Sequence, residues 1–239
     1  ALRMMAPGFF SIHPVEYEKP EEDILLLDAT FLSTTPEATM FVPSYASWLE
    51  QTDQSPAYAY LVKLLKYLQY QRPGKRWVLK SPHHMEFPDL AKKHFKDVHY
   101  IWTHRNIAES LPSFLSMVAH SQTIFSDQVS LDRVAKHWVR KTGYMLSKGI
   151  QFRKENPKEK YTDVMYPQLI ASPMSVLEDI YRFDASIQEN LLARFKETEQ
   201  QNKQYKYGKH TYKLEDFGIR QENINEVVNV YNEFLNTLK

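Results

Sequence analysis

The chain of 239 residues is 43% hydrophobic and 25% charged, a composition typical of a globular protein that is long enough to bury a full core. Lys and Arg number 30 against 29 Asp and Glu, and this near balance argues against nucleic acid as a partner. The absence of cysteine excludes disulfides, thiolate catalysis and Cys-based zinc sites and favours a cytoplasmic location, and no apolar run approaches the roughly 18–20 residues of a membrane span.

Helices dominate the first third of the predicted structure. Pro20 is followed by three acidic residues, which is typical of the first turn of a helix. Ser55 as the cap and Pro56 as the first residue predict a longer helix, whose apolar residues recur at helical spacing. The β-forming residues 76–80 (RWVLK) then predict a short strand.

The central segment predicts a second strand and two helices. Residues 98–103 (VHYIWT) are rich in β-formers, and Asn106 with Glu109 three residues later predicts a capped helix. Pro112 is expected to kink or restart that helix. Apolar residues at helical spacing over residues 131–152 predict a long amphipathic helix.

A third strand and further helices complete the pattern. Residues 161–166 (YTDVMY) predict the strand, and helices are expected to begin near Ser172 and Ser186 and to include residues 224–238. Short strands separated by helices predict an α/β fold with a parallel sheet. Three strands make a thin sheet, so either further strands escape detection or part of the sheet comes from residues upstream.

Cationic and hydroxyl side chains gather where the predicted strands end. In parallel α/β sheets, ligands bind beyond the carboxyl ends of the strands, so these residues predict a site for an anion combined with an acid–base step. The three strand ends carry residues 80–84 (KSPHH), 103–106 (THRN) and 166–167 (YP).

Arg105 is the first candidate, because it follows a strand and precedes a helix. A helix N-terminus offers free N–H groups and positive dipole charge, and the Arg fork matches phosphate oxygens. Ser113 lies about two helical turns further on. The alternative for Arg105 is a solvated side chain paired with Glu109.

The pair His83 and His84 has three possible interpretations. One of them is a general base that titrates near neutral pH, both are hydrogen-bonded loop residues, or both bind a metal together with Glu86. No second cluster with metal-ligand spacing accompanies them, so no metal is expected. Lys80-Ser81 resembles the end of a phosphate-binding Walker A loop, but Leu79 replaces the required Gly, which excludes an ATPase based on this segment.

Lysines and tyrosines interleave between residues 203 and 213, where Gly208, Lys209 and His210 lie. This pattern fits a nucleic-acid strip, a basic lid over a nucleotide phosphate, or a solvated loop. The neutral charge balance disfavours the first of these.

Several segments in the same order resemble the sulfotransferase superfamily, and most of all its bacterial-type group with KSPxHL and HRxPxxxxxS patterns. The resemblance implies one sulfotransferase-like domain over residues 1–239, with a P-loop-like, three-layer α/β fold that is predominantly helical. The matching segments are residues 9–23 (FFSIHPVEYEKPEED), 42–50 (VPSYASWLE), 76–90 (RWVLKSPHHMEFPDL), 103–116 (THRNIAESLPSFLS), 161–183 (YTDVMYPQLIASPMSVLEDIYRF) and 205–219 (YKYGKHTYKLEDFGI).

The resemblance also implies an activity, which is sulfuryl transfer from 3′-phosphoadenosine 5′-phosphosulfate to a hydroxyl or amine of a small-molecule, lipid or carbohydrate acceptor, without a metal. It assigns Arg105 and Ser113 to the 3′-phosphate of this donor and Tyr166 to its adenosine. It assigns His84 to the general base, with His83 as second candidate, and Lys80 to the sulfuryl group. Gly208, Lys209 and His210 match, more loosely, a loop that closes over the 3′-phosphate.

One feature of the superfamily has no counterpart here, namely a Gly- and Thr-containing 5′-phosphosulfate loop after a first strand. We therefore expect the natural protein to extend beyond Ala1 and to supply that strand and loop. Two rival interpretations are a catalytically inactive binding protein derived from a sulfotransferase and a related P-loop-like nucleotide kinase. A homodimer is compatible with all of them.

Overall fold

The computed structural model describes residues 19–74, 76–182, 193–198 and 212–238. Two strands form its sheet, and 3-10 turns cover Pro82–Met85, Leu214–Phe217 and Gln221–Ile224. The strands are β1 (His99–His104) and β2 (Lys160–Met165), and the helices are α1 (Ile24–Asp28), α2 (Thr35–Thr39), α3 (Pro43–Gln51), α4 (Ser55–Gln71), α5 (Pro88–His94), α6 (Ile107–Gln122), α7 (Leu131–Glu155), α8 (Tyr166–Ala171), α9 (Pro173–Tyr181), α10 (193–198) and α11 (Asn225–Asn236).

The sheet confirms the predicted α/β class. β1 and β2 pair in parallel, from His99 opposite Lys160 to His104 opposite Met165. Parallel neighbours need a crossover connection, and α6 and α7 provide it. The register makes both strands end at the same edge, so the residues that follow each strand become neighbours.

The strand predicted over residues 76–80 is wrong. This segment is extended but forms no ladder with any strand in the described part of the chain. Its Lys80 N–H donates instead to Asp23 Oδ1 at 2.7 Å, and its Val78 side chain is 70% exposed. β-forming residues give a strand only where a neighbouring strand supplies partners for their backbone groups, and none of the described residues does so here.

Helix boundaries follow the capping predictions at most positions. Asn106 accepts the Ala108 N–H and caps α6, and α7 begins at Leu131 as the apolar spacing predicts and extends to Glu155. α4 begins at Ser55 itself, one residue earlier than predicted, with Gln54 at the N-cap position. Pro112 does not restart α6, which runs through it as one helix and gives up the hydrogen bond that the missing N–H would have donated. The helix start predicted at Ser186 lies outside the described residues.

The main core lies where α6, α7 and α11 pack together. It includes Leu115, Val134 and Ile224, which are fully or almost fully buried. Helix α7 packs closely against β1 at Gly149, where a Cβ atom would lie 3.0 Å from the Trp102 ring. A smaller cluster around Leu27 and Leu61 joins α1 to α4. None of the described helices combines the length and the apolar character needed to cross a membrane.

Candidate functional site

The carboxyl edge of the sheet brings Arg105 and Tyr166 together. The register places His104 opposite Met165, so Arg105 and Tyr166, which follow them, are neighbours. The Arg105 guanidinium lies over the Tyr166 ring at 4.4 Å from its centre, a cation–π contact. Arg105 is exposed, and among the described residues it forms no ion pair with Glu109, whose carboxylate accepts from Asn106 instead.

A hydrogen-bonded network around the buried His104 holds this edge of the sheet in place. His104 Nδ1 lies 2.7 Å from Tyr231 Oη, and His104 Nε2 lies 2.8 Å from Asp163 Oδ1. Arg153 holds the same Asp163 carboxylate with two bonds of 2.5 and 2.6 Å. The network ties β1 to β2, α7 and α11, so the backbone that presents Arg105 is held from several sides.

The start of α6 adds to the positive character of the edge. Arg105 immediately precedes the N-cap of this 16-residue helix, where N–H groups and the helix dipole favour an anion. Ser113 lies on the exposed surface of α6, about two turns from Arg105. An exposed guanidinium, an aromatic ring and a helix N-terminus can together bind a phosphate that is attached to an aromatic base.

His84 is held at both ring nitrogens. Its Nε2 lies 2.8 Å from Asp23 Oδ2, and its Nδ1 lies 2.7 Å from Tyr58 Oη. With the carboxylate ionised, Nε2–H donates to Asp23 and Nδ1 accepts the Tyr58 hydroxyl hydrogen. Burial by itself raises the pKa of Asp23, but the hydrogen bond and charge of His84 and the Lys80 N–H hold it below its usual value.

Asp23 links two of the residues predicted to be catalytic. Its Oδ1 accepts the Lys80 N–H, and its Oδ2 accepts from His84. The helix start predicted near Pro20 therefore falls later, at Ile24, with the Asp23 side chain used by the network instead of the helix cap. The Lys80 ammonium pairs with Glu22 and is exposed, so it remains accessible to a ligand.

His83 faces the interior of the protein. It is fully buried beside Phe87, with ring centres 4.9 Å apart, and neither ring nitrogen has a hydrogen-bond partner in the described part of the protein. Burial, with the charges of His84 and Lys141, lowers the pKa of His83 to about 3. A histidine with such a pKa is neutral at pH 7, and its enclosure leaves His84, whose side chain is 20% exposed, as the more accessible of the two candidate bases.

Sequence reasoning missed a buried ionic cluster beside the two histidines. Lys141 is fully buried, and its Nζ lies 2.8 Å from Glu86 Oε2, 3.0 Å from Glu50 Oε1 and 3.4 Å from Glu37 Oε2. His137 Nε2 lies 2.6 Å from the other oxygen of Glu37. The signal was present in α7, where Lys141 interrupts the apolar spacing between Trp138 and Met145.

The ionic cluster also changes the interpretation of Glu86. Its carboxylate pairs with Lys141 and not with the neighbouring histidines, and no group of three potential ligands capable of holding a metal occurs in the described ranges. Burial, helped by the repulsion of Glu37 and Glu50, raises the pKa of Glu86 to about 7, and the attraction of Lys141 offsets only part of this rise. The remaining site residues from the sequence, Gly208, Lys209 and His210, lie outside the described residues.

Comparison with known proteins is consistent with this geometry. The profile of the sulfotransferase family matches residues 1–184, more than half of the chain. The fold resembles the crystal structures of sulfotransferase STF1 from Mycobacterium tuberculosis, at 27% identity and a TM-score of 0.79, and of sulfotransferase STF9 from Mycobacterium avium, at 22% identity and a TM-score of 0.83. The matches cover 95% and 92% of this chain but 59% and 58% of those chains, so it spans about three fifths of their length. Among curated proteins, none matched this chain.

Proposed function

This chain belongs to the sulfotransferase family, and we propose that it takes part in sulfuryl transfer from 3′-phosphoadenosine 5′-phosphosulfate to a hydroxyl or amine of a small-molecule, lipid or carbohydrate acceptor. The observation that carries the proposal is the exposed Arg105, stacked on Tyr166 at the start of α6. We also propose a cytoplasmic location, as the lack of cysteine favours.

In this proposal, Arg105 and Ser113 bind the 3′-phosphate of the donor, and Tyr166 contacts its adenosine. The 3′-phosphate distinguishes this donor from ATP, so a dedicated cation is needed to recognise it. Arg105 suits that role because its guanidinium is oriented by the Tyr166 ring and exposed to solvent. Gly208, Lys209 and His210 are proposed to contact the same phosphate.

In sulfuryl transfer, as in phosphoryl transfer, the attacking atom and the leaving oxygen lie in line on opposite sides of the transferred group. We assign the exposed ammonium of Lys80 to steady the charge that develops on the transferred group. As the acceptor's oxygen or nitrogen bonds to sulfur, the bond from sulfur to the 5′-phosphate oxygen of the donor breaks and 3′-phosphoadenosine 5′-phosphate leaves. The acceptor loses a proton in the same step, and we assign His84 Nδ1 to receive it. Asp23, bonded to Nε2, would stabilise the imidazolium that forms.

The proposed base has one structural requirement. His84 Nδ1 is occupied by the hydroxyl of Tyr58, a residue that is fully buried. Proton transfer therefore requires the Tyr58 hydroxyl to release Nδ1 when an acceptor binds. The same observation favours a second candidate function, a protein that binds the nucleotide without turnover and in which Tyr58, His84 and Asp23 are a structural network.

Calorimetric titration of the full-length protein tests the proposal. We expect 3′-phosphoadenosine 5′-phosphate to bind more tightly than adenosine 5′-phosphate and ATP, by roughly tenfold or more for one charge-assisted bond. Preference for ATP would contradict the proposal and favour a kinase. Tight binding of the 3′-phosphorylated nucleotide, without transfer from the intact donor to any acceptor, would support the binding protein instead.

A further inference from the structure

A cavity of about 300 Å³ lies at the opposite end of α6 from Arg105. It is bounded by the connection from α2 to α3 and by the connection from α6 to α7. Its volume lies at the lower end of the range of small-molecule sites. Because α6 has 16 residues at a rise of 1.5 Å each, the cavity lies roughly 24 Å along the helix from Arg105.

One wall of the cavity is apolar and open to solvent. Met40, Phe41 and Phe125 line it, with exposed fractions of 39%, 43% and 60%. Three apolar side chains that share one concave surface can contact the same apolar group. Two of them are aromatic rings, which favour a planar ligand.

A cation also lines the cavity, next to Phe41. Arg133 lies in the first turn of the 25-residue helix α7, and its guanidinium lies over the Phe41 ring at 5.7 Å. Within the described part of the chain, no carboxylate forms an ion pair with Arg133. The charge is therefore left for a ligand, and the N-terminal end of α7 adds to the positive potential there.

An independent observation comes from Gln122, the last residue of α6. Gln122 is only 4% exposed and lines the same cavity, yet its carboxamide has no hydrogen-bond partner among the described residues. Its polar atoms are not among the fully enclosed ones, so the amide meets the space of the cavity and is available there to a polar group on a bound molecule.

We propose that this cavity binds a small aromatic molecule that carries one anionic group, such as a carboxylate. The ring would lie against Phe41 and Phe125, the anion would pair with Arg133, and Gln122 would hydrogen-bond the same anionic group. The site is separate from the nucleotide site proposed at Arg105, and its occupancy does not depend on sulfuryl transfer.

Titration of the full-length protein with 2-naphthoate and with its neutral counterpart 2-naphthamide tests this site. We expect 2-naphthoate to bind about tenfold more tightly, the gain of one charge-assisted hydrogen bond. Arg133→Gln should abolish that preference, and Gln122→Leu should reduce it. The matched control is Lys136→Gln, which removes the same charge one turn later from a side chain that is 72% exposed, and it should leave both affinities unchanged.

Three results would overturn the proposal. The first is equal affinity of the wild-type protein for the two probes, or no binding of either. The second is an equal loss of 2-naphthoate binding in Arg133→Gln and Lys136→Gln, which would indicate non-specific attraction of anions. The third is competitive displacement of 2-naphthoate by 3′-phosphoadenosine 5′-phosphate, which would make the cavity part of the nucleotide site.

Discussion

Arg105 and Lys141 are both cations near the predicted site, but the protein treats them in opposite ways. Arg105 is exposed and rests on an uncharged ring, so its charge is left for a ligand. Lys141 is fully buried and surrounded by three carboxylates, so its charge is satisfied internally. The difference shows that a cation's available partners, and not its place in the sequence, decide whether it can serve a substrate.

Titration behaviour reflects the same difference. In the ionic cluster, burial lowers the pKa of Lys141, but Glu86 and Glu37 outweigh that and raise it, so Lys141 stays charged. The pKa of Glu86 rises to about 7 in the same surroundings. The ionic cluster should therefore control stability, whereas the edge at Arg105 should control ligand affinity.

The largest expected effect follows from breaking the ionic cluster. Lys141→Met should destabilise the protein by about 3–5 kcal/mol, because it leaves buried carboxylates without their cation. Urea unfolding followed by circular dichroism measures the change. Adding Glu86→Gln should recover part of the loss, since it removes one of the unpaired charges.

Lys136→Met is the matched control for that prediction. Lys136 lies on the same helix, is 72% exposed and pairs with Asp132, so its replacement should change stability by less than about 1 kcal/mol. An equal effect of the two substitutions would mean that the ionic cluster contributes nothing specific.

Removal of the proposed base should have the next largest effect. His84→Ala should reduce single-turnover sulfation of 2-naphthol by about 10²–10⁴-fold, the usual contribution of a positioned base. Binding of the nucleotide should be nearly unchanged. Tyr58→Phe keeps the ring and frees His84 Nδ1, so its turnover should stay near the wild-type rate or exceed it.

A structural role for His84 would give a different pattern. His84→Ala and Tyr58→Phe would then both lower the free energy of unfolding, and neither would change the dependence of turnover on pH. His83→Ala should have little direct effect on turnover, because His83 is fully enclosed.

Acid should destabilise the protein through His83. Its pKa falls from 6.5 to about 3 on folding, so the stability that the neutral ring contributes is complete above pH 6.5 and is lost as the pH falls towards 3. The loss approaches about 1.4 kcal/mol per pH unit. His83→Leu should remove this part of the dependence, as unfolding measured at several pH values would show.

Glu86 acts in the opposite direction, because its folded pKa of about 7 lies above the ordinary 4.5. The folded protein retains this proton more strongly, so the contribution of Glu86 falls as the pH rises between those values. The difference between wild-type and His83→Leu curves isolates the histidine. A difference that does not vary with pH would contradict the account of His83.

Patterns along the sequence predicted the elements that rest on local signals. Apolar spacing predicted α7, and β-forming residues predicted β1 and β2. Because parallel strands end at one edge, the positions of Arg105 and Tyr166 after those strands were enough to anticipate that they lie close together. Their roles toward a nucleotide stay predictions.

Long-range contacts explain what sequence reasoning missed. Residues 76–80 have the composition of a strand, but a strand also needs a neighbour, which composition does not reveal. Asp23 and Tyr58 meet His84 across 61 and 26 residues, and no local spacing announces such partners. Lys141 was detectable as a charge on an apolar face, but its three carboxylates come from separate segments.

Calorimetric titration of Arg105→Ala with 3′-phosphoadenosine 5′-phosphate and with adenosine 5′-phosphate tests the central claim most directly. We expect the first ligand to lose roughly tenfold or more in affinity, equivalent to about 1.5–3 kcal/mol, and the second to lose little. Ser113→Ala should show the same selectivity with a smaller loss. Equal losses for the two nucleotides would contradict the claim that Arg105 recognises the 3′-phosphate.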